Sequence, residues 1–314
     1  GEVEMFSGSN IVPWHKQGTI IQGLATSKEA LELAKLTWQV RKANIKVNDV
    51  IVPEFAANVR EDNGKVLGIV KNRYLIIQNS EAFEFFDSVI GEGQAVYDTA
   101  GALCDGKIVW LLAKLPKSLF LKSNPNDKID QYILMSKGHD GERPLNLKCV
   151  ATRVVCHNTI SIAWREQSNE ISIRHAANYQ DKLESAKLTL NFTSAYFGNL
   201  QGVIDSLASV SMNQKQMENF SELLLPSSDE EASTRKENIR AQVVDLFSNG
   251  NGNRGETRWD AFNAVTDYVD HSQKIRETTS RMKSVFFGQG SNLKQRASNL
   301  LLDTTQTFDL VLNN

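Results

Sequence analysis

Two dipeptides constrain this chain more than any other feature. Asn63-Gly64 separates "EFAANVRE" from "KVLGIVKNRYLII", and Asp105-Gly106 separates "AVYDTAGALC" from "KIVWLLAKL". Asn-Gly and Asp-Gly between runs rich in β-branched residues signal hairpins, because a two-residue turn needs positive φ at its centre. Hairpins pair their strands antiparallel, so the first half is expected to build an antiparallel sheet. "WQVRKANIKV", starting at Trp38, supplies an earlier β-rich run. In "NSEAFEFFDSVIG", Phe83, Phe86 and Ile90 recur at i, i+3 and i+7, so an amphipathic helix capped at Asn79 or Ser80 should cover one face. A further strand, a polar loop at residues 138–142 and the stretch "ATRVVCHNTISIAW" follow.

The texture is different on either side of this block. Before Trp38, Thr26 or Ser27 can cap a short helix carrying Leu31, Leu33 and Ala34. From about Tyr179 the chain reads as helical, with Leu183, Ala186, Leu190 and Phe197 on one stripe. "SSDEEASTRKEN" reads as an exposed connection or a frayed helix start, and "NGNGNRGE" as a loop. Thr257 and Asp260 form a capping box before Trp259, Phe262 and Val269, and Leu293, Ala297, Leu300 and Leu301 mark a final helix. The expected fold is α+β: an antiparallel sheet with a β-β-β-α core covered by helices, then a mainly helical C-terminal half. Its expected parts are residues 1–37 with a short helix, 38–176 as the sheet core, and 177–314 as a helical region packing on it.

Charge and cysteine content narrow the function. A net charge of −2 gives no global basic field to recruit nucleic acid or an anionic membrane, yet 35 basic residues can still gather on one face. No apolar run reaches the roughly 18 residues of a membrane span. The start "GEVEMFSGSNIVPWHK" lacks the apolar region of a secretory signal. Three cysteines argue against a disulfide framework and for a reducing, cytoplasmic setting.

Cys149 and Cys156 are seven apart, which on one strand puts their sulfurs on opposite faces, so no metal is expected there. "FFGQGSNL" has Leu293 where a dinucleotide fingerprint needs its third glycine, and no phosphate-cradling ATP loop is present. Asp260, Asp267, Asp270 and His271 make a helical set that a metal-dependent nuclease could use, or a solvated helix face. No catalytic residue and no cofactor is assigned. If "ATRVVCHNTISIAW" is a single strand, Thr152, Val154 and Cys156 face the core, while Arg153 and His157 lie on the open side. In "KVLGIVKNRYLII", Lys71 and Arg73 share a face with Leu67, Ile69 and Leu75, and Tyr74 points the other way. Arg41, Lys42 and Lys46 stand on the first strand, and the helical half adds Arg254, Arg258, Lys274, Arg276, Arg281 and Lys283. Cations beside aromatics on a sheet can track a backbone and stack bases.

"PWHKQGT", "TSKEALELAKLTWQV", "RVVCHNTISIA", "IRHAAN" and "GETRWDAFNAVTDYVDH" occur in this order. Together they resemble the phage/plasmid-like protein family, a domain of unknown function of the 932 type. Lys16 departs from the resemblance, which has glycine at that point of the opening. The resemblance implies a mobile genetic element and a bacterial host's cytoplasm. The element order is similar to the core of single-strand annealing proteins of the Red-beta and RecT kind. That second resemblance implies an ATP-independent protein that binds single-stranded DNA as an oligomeric ring or filament. On it, Arg41, Lys46, Lys71, Arg73 and Arg153 would contact the backbone, and Tyr74 or His157 a base. The alternative expectation is an oligomeric structural or host-interaction protein, active against host defence, without DNA chemistry.

Overall fold

The computed structural model describes residues 5–7, 19–20, 26–90, 95–163, 169–173, 183–226, 230–273 and 278–303. The strands are β1 (Met5–Ser7), β2 (Thr19–Ile20), β3 (Val40–Val47), β4 (Val50–Arg60), β5 (Val66–Lys71), β6 (Val96–Leu103), β7 (Ile108–Leu121), β8 (Asn124–Gly138), β9 (Leu145–Arg153), β10 (Asn158–Ile160) and β11 (Glu170–Ile173). The helices are α1 (Ser27–Leu33), α2 (Asn79–Ile90), α3 (Leu183–Ser209), α4 (Gln214–Leu224), α5 (Glu230–Asn249), α6 (Arg258–Asp267), α7 (Thr278–Phe287) and α8 (Gln289–Leu301). The class is α+β, with antiparallel ladders in the first half and helices in the second. Strands β3-β4-β5 form one sheet. The other runs β10-β9-β8-β7-β6-β1-β2, with β11 also paired to β9. Among the described residues, no helix is long and apolar enough to cross a membrane.

The chain divides into two compact units whose boundaries fall inside β7, β8, β9 and α3. The first takes its residues from Gly1–Pro116, Tyr132–Cys149 and Glu170–Ser194. Its core gathers Leu31, Leu36 and Trp38 with Phe83 and Phe86 of α2, and Leu111, Ile133, Met135 and Leu147 of the strands. The amphipathic spacing of α2 therefore buries the phenylalanines as its sequence dictates. Both glycine turns join antiparallel strands, but neither is a two-residue turn: residues 61–65 connect β4 to β5, and a 3-10 turn, Cys104–Gly106, leads into β7. Gly64 has φ +71°, and the Asp105-Gly106 turn has φ of +62° and +98°. A third tight turn joins β3 to β4 through Asn48 and Asp49, both left-handed at +48° and +63°. Thr26 caps α1 in a reciprocal capping box with Glu29.

The second unit comprises Lys117–Gln131, Val150–Asn169 and Ala195–Asn314. Thr257 and Asp260 form the expected capping box of α6. All ten residues of α6 are buried, so it is an enclosed helix rather than the one-faced helix that Trp259, Phe262 and Val269 imply. A π-helical turn, Tyr268–Ser272, follows it.

One expectation is overturned here. Residues 151–163 are not one strand, and Trp164 lies outside the described residues. Strand β9 stops at Arg153, the chain turns through residues 154–157, and β10 returns antiparallel with Asn158 opposite Arg153. His157 supplies the left-handed residue at φ +56°. Period-two bookkeeping therefore fails beyond Arg153, and Val155 is left exposed at the tip.

Candidate nucleic-acid interface

In the first unit, the register of β3-β4-β5 sorts the side chains. Val40 pairs with Arg60, Asn58 with Gly68, and Ala56 with Val70. These residues share the inward face, since directly opposed antiparallel residues point the same way. Val40, Ala56, Asn58, Arg60 and Val70 are accordingly buried. A bulge at the Asn58/Val59 step turns Leu67 inward beside Gly68. Leu67 therefore does not share the face of Ile69, as uninterrupted alternation would require. Gly68 is needed there, because a Cβ would overlap the Asp140 backbone.

The outward face carries Arg41 opposite Val59, Ala43 and Ile69 each opposite Ala57, and Lys71 opposite Phe55; on it Ala57 and Val59 of the central strand are themselves buried, and the exposed residues stand around them. Phe55, Val66 and Ile69 are exposed, as are Val47, Val50 and Ile51 towards the Asn48-Asp49 turn. Arg41, Lys46, Lys71 and Arg73 are exposed, and among the described residues none of the four forms an ion pair. Within the three strands stand five basic residues, Arg41, Lys42, Lys46, Arg60 and Lys71, against one acid, Glu54. Two of the five are engaged: Lys42 donates to the Asn72 carbonyl, and buried Arg60 pairs with Asp62 at 2.7 Å and lies over Trp38.

Arg73 and Tyr74 lie beyond the strand, which ends at Lys71. Tyr74 is turned into the protein and donates its hydroxyl to the Gly138 carbonyl at 3.2 Å. Burial, with the charge of Asp140 nearby, raises its phenol above the ordinary range. Its ring is thus committed internally, not presented for stacking.

Arg153 and His157 belong to the second unit. Arg153 is 2% exposed, which corrects its assignment to an open face. Its Nε donates to both Asp127 carboxylate oxygens at 2.9 Å, Nη1 to Asn253 Oδ1 at 2.9 Å and Nη2 to the Gly252 carbonyl at 2.7 Å. Its guanidinium also lies 5.7 Å from the Trp259 ring centre. This arginine ties the "NGNGNRGE" loop to strand β8, with four of its five N–H donors engaged inside the protein. His157 is half-buried; burial first, and the neighbouring His271 second, lower its pKa, so it is neutral at neutral pH.

Two of the helical acids, Asp260 and Asp270, are occupied as well. Asp260 accepts from the backbone of Arg254, Glu256 and Thr257. Asp270 is fully buried, pairs with Lys294, and accepts from Thr159 N and Oγ1 at 2.6 and 2.7 Å. Among the described residues, no group of three or more His, Cys, Asp or Glu converges as a metal site. Of the other helical cations, Arg258 is buried against the Leu301 carbonyl at 2.9 Å, and Lys274 and Arg276 lie outside the described residues.

Sequence reasoning missed two features of the first unit. One is Phe55, hidden in a strand whose partners could not be read from the sequence. The other is Lys137, which is 1% exposed and forms no ion pair among the described residues. Lys137 Nζ donates to the Ile77 carbonyl at 2.6 Å and lies 3.1 Å from His139 Nε2. Asn79 Nδ2 donates to the Leu36 carbonyl, so its Oδ1 faces His139 Nε2 at 2.9 Å and receives that proton. An ammonium cannot donate to an N–H, so the directions fit a neutral Lys137 amine. Burial depresses its pKa far below the ordinary lysine value, and Glu81 opposes that only in part.

A family model described as Domain of unknown function (DUF932) matches residues 66–286. The chain belongs to the DUF932 family. The DUF932 match begins at the first residue of β5, so Lys71, Arg73, Tyr74, Arg153 and His157 fall inside it and Arg41 and Lys46 outside. No curated protein and no solved structure matches the chain.

Proposed function

We propose that this DUF932 protein binds single-stranded DNA without ATP through the outward face of β3-β4-β5. On this reading it works as an oligomer, a ring or filament, in strand annealing during phage or plasmid recombination or replication. The observation that carries the reading is the set of exposed cations Arg41, Lys46, Lys71 and Arg73, unpaired among the described residues, around a sheet with one acid in its strands. Such a concentration is not required by folding, and cations without carboxylates are available to phosphates. The order β3-β4-β5-α2, similar to the β-β-β-α order of annealing proteins, supports it, as does the sequence resemblance to phage/plasmid-like proteins.

Fluorescence anisotropy with an oligothymidylate over a salt series tests the proposal. Tight binding at low salt with a steep negative slope is expected, and Lys71→Ala should reduce that slope by about one unit or slightly less. Absence of salt-sensitive binding to any single strand removes the proposal.

A second reading, an oligomeric structural or host-interaction protein without DNA chemistry, draws on exposed Val47, Val50 and Ile51 near the β3-β4 turn. It expects assembly in sedimentation that is indifferent to added DNA, and loss of that assembly in a Val50→Lys variant. A monomer at all concentrations removes it.

A further inference from the structure

Resting on the DNA-binding reading, we propose that Phe55 is a base-stacking residue and that the bound strand lies with its bases turned towards the sheet. Phe55 is 42% exposed, so part of its ring is open to solvent on the outward face. Its direct cross-strand partner is Lys71. Directly opposed residues stand about 5 Å apart at Cβ, so one nucleotide can place its phosphate on Lys71 and its base on the Phe55 ring. The adjoining row, Ala43-Ala57-Ile69, has buried Ala57 at its centre and exposed Ile69 at its edge. Arg41 stands on the following row, opposite Val59, and offers a second cation on the same face.

The charge and the apolar surface on this face agree on one occupant. Cations alone would suit any polyanion, duplex included. A ring and exposed Ile69 and Val66 beside them suit a polyanion that also presents flat apolar faces, which only unpaired bases do. Duplex DNA keeps those faces stacked inside. A strand held this way has some base faces covered, so pairing with a complement requires those nucleotides to lift from the sheet.

The test compares an oligothymidylate with an abasic oligomer of equal length, which has the same phosphates and no bases. The unaltered protein is expected to prefer the base-bearing strand on the order of tenfold. Phe55→Ala should remove the preference and Phe55→Trp should widen it. Lys71→Ala should weaken both strands by the same factor and leave the ratio intact. Because Phe55 is part-exposed, circular dichroism and the melting midpoint should report folded variants. If Phe55→Ala binds single strands with the ratio of the unaltered protein, the stacking role is wrong while DNA binding stands. If neither oligomer is bound at low salt, both proposals fall.

Discussion

Arg153 shows how one residue's role depends on partners remote in sequence. Asp127 is 26 positions away and Asn253 is 100. Asp127→Ala strands a buried guanidinium, and chemical denaturation should show a loss of about 3–5 kcal/mol. The double replacement Asp127→Leu with Arg153→Met should cost markedly less, because no unpaired charge remains. The type of residue at position 153 was legible, but its direction was not. An arginine after a threonine at a strand end reads as surface until the neighbouring strand brings an acid. Lys137 gives a second test at this scale. Its folded pKa is depressed, so below the ordinary lysine value the unfolded chain binds a proton that the folded chain does not. Stability should therefore rise with pH through the window between the depressed and ordinary values. Lys137→Met should raise the urea midpoint and flatten that slope; an unchanged slope would show that Lys137 is charged in place.

Among the elements, turns with glycine could be read and turns without it could not. Asn63-Gly64 and Asp105-Gly106 announced their hairpins because glycine accepts positive φ at no steric cost. Asn48-Asp49 and the turn at 154–157 achieve the same reversal with asparagine, aspartate and histidine, whose left-handed conformations cost more and are held by the strands on either side. Two helix caps were legible for a similar local reason: Thr26 with Glu29, and Thr257 with Asp260, need only a three-residue spacing, whereas Asn79 and Ser80, read as caps of α2, are its first helical residues, and the Asn79 amide is engaged with Leu36 and His139. The bulge that turns Leu67 inward is set by packing on Asp140, 72 positions further on in the chain counted from Gly68, and no local pattern encodes it. Two glycines separate packing from conformation. Gly68→Ala should lower the melting midpoint, with a cost of about 1–3 kcal/mol, since backbone must move. Gly198→Ala, in α3 with nothing near its missing Cβ, should raise stability by about 0.5–1 kcal/mol. Equal effects at the two sites would mean that Asp140 yields freely.

For the molecule as a whole, the near-neutral total conceals unequal local charge. A net charge of −2 coexists with a strand set that has four more bases than acids. Binding through that set should be steeply salt-dependent although the isoelectric point, about 6.3, is mildly acidic. The sequence disclosed the class of fold and the strand cations; it did not disclose that Tyr74 and Arg153 spend their polar groups inside. The three thiols offer a way to follow the protein at work. Cys104 is exposed in the β6-β7 turn, whereas burial pushes Cys149 up to about 12 and Cys156 up to about 11. A maleimide dye should therefore attach once to the native chain and three times after denaturation, as intact mass would count. That selectivity gives a single-colour reporter at a chosen address with no engineering, ready for watching individual molecules meet a tethered strand.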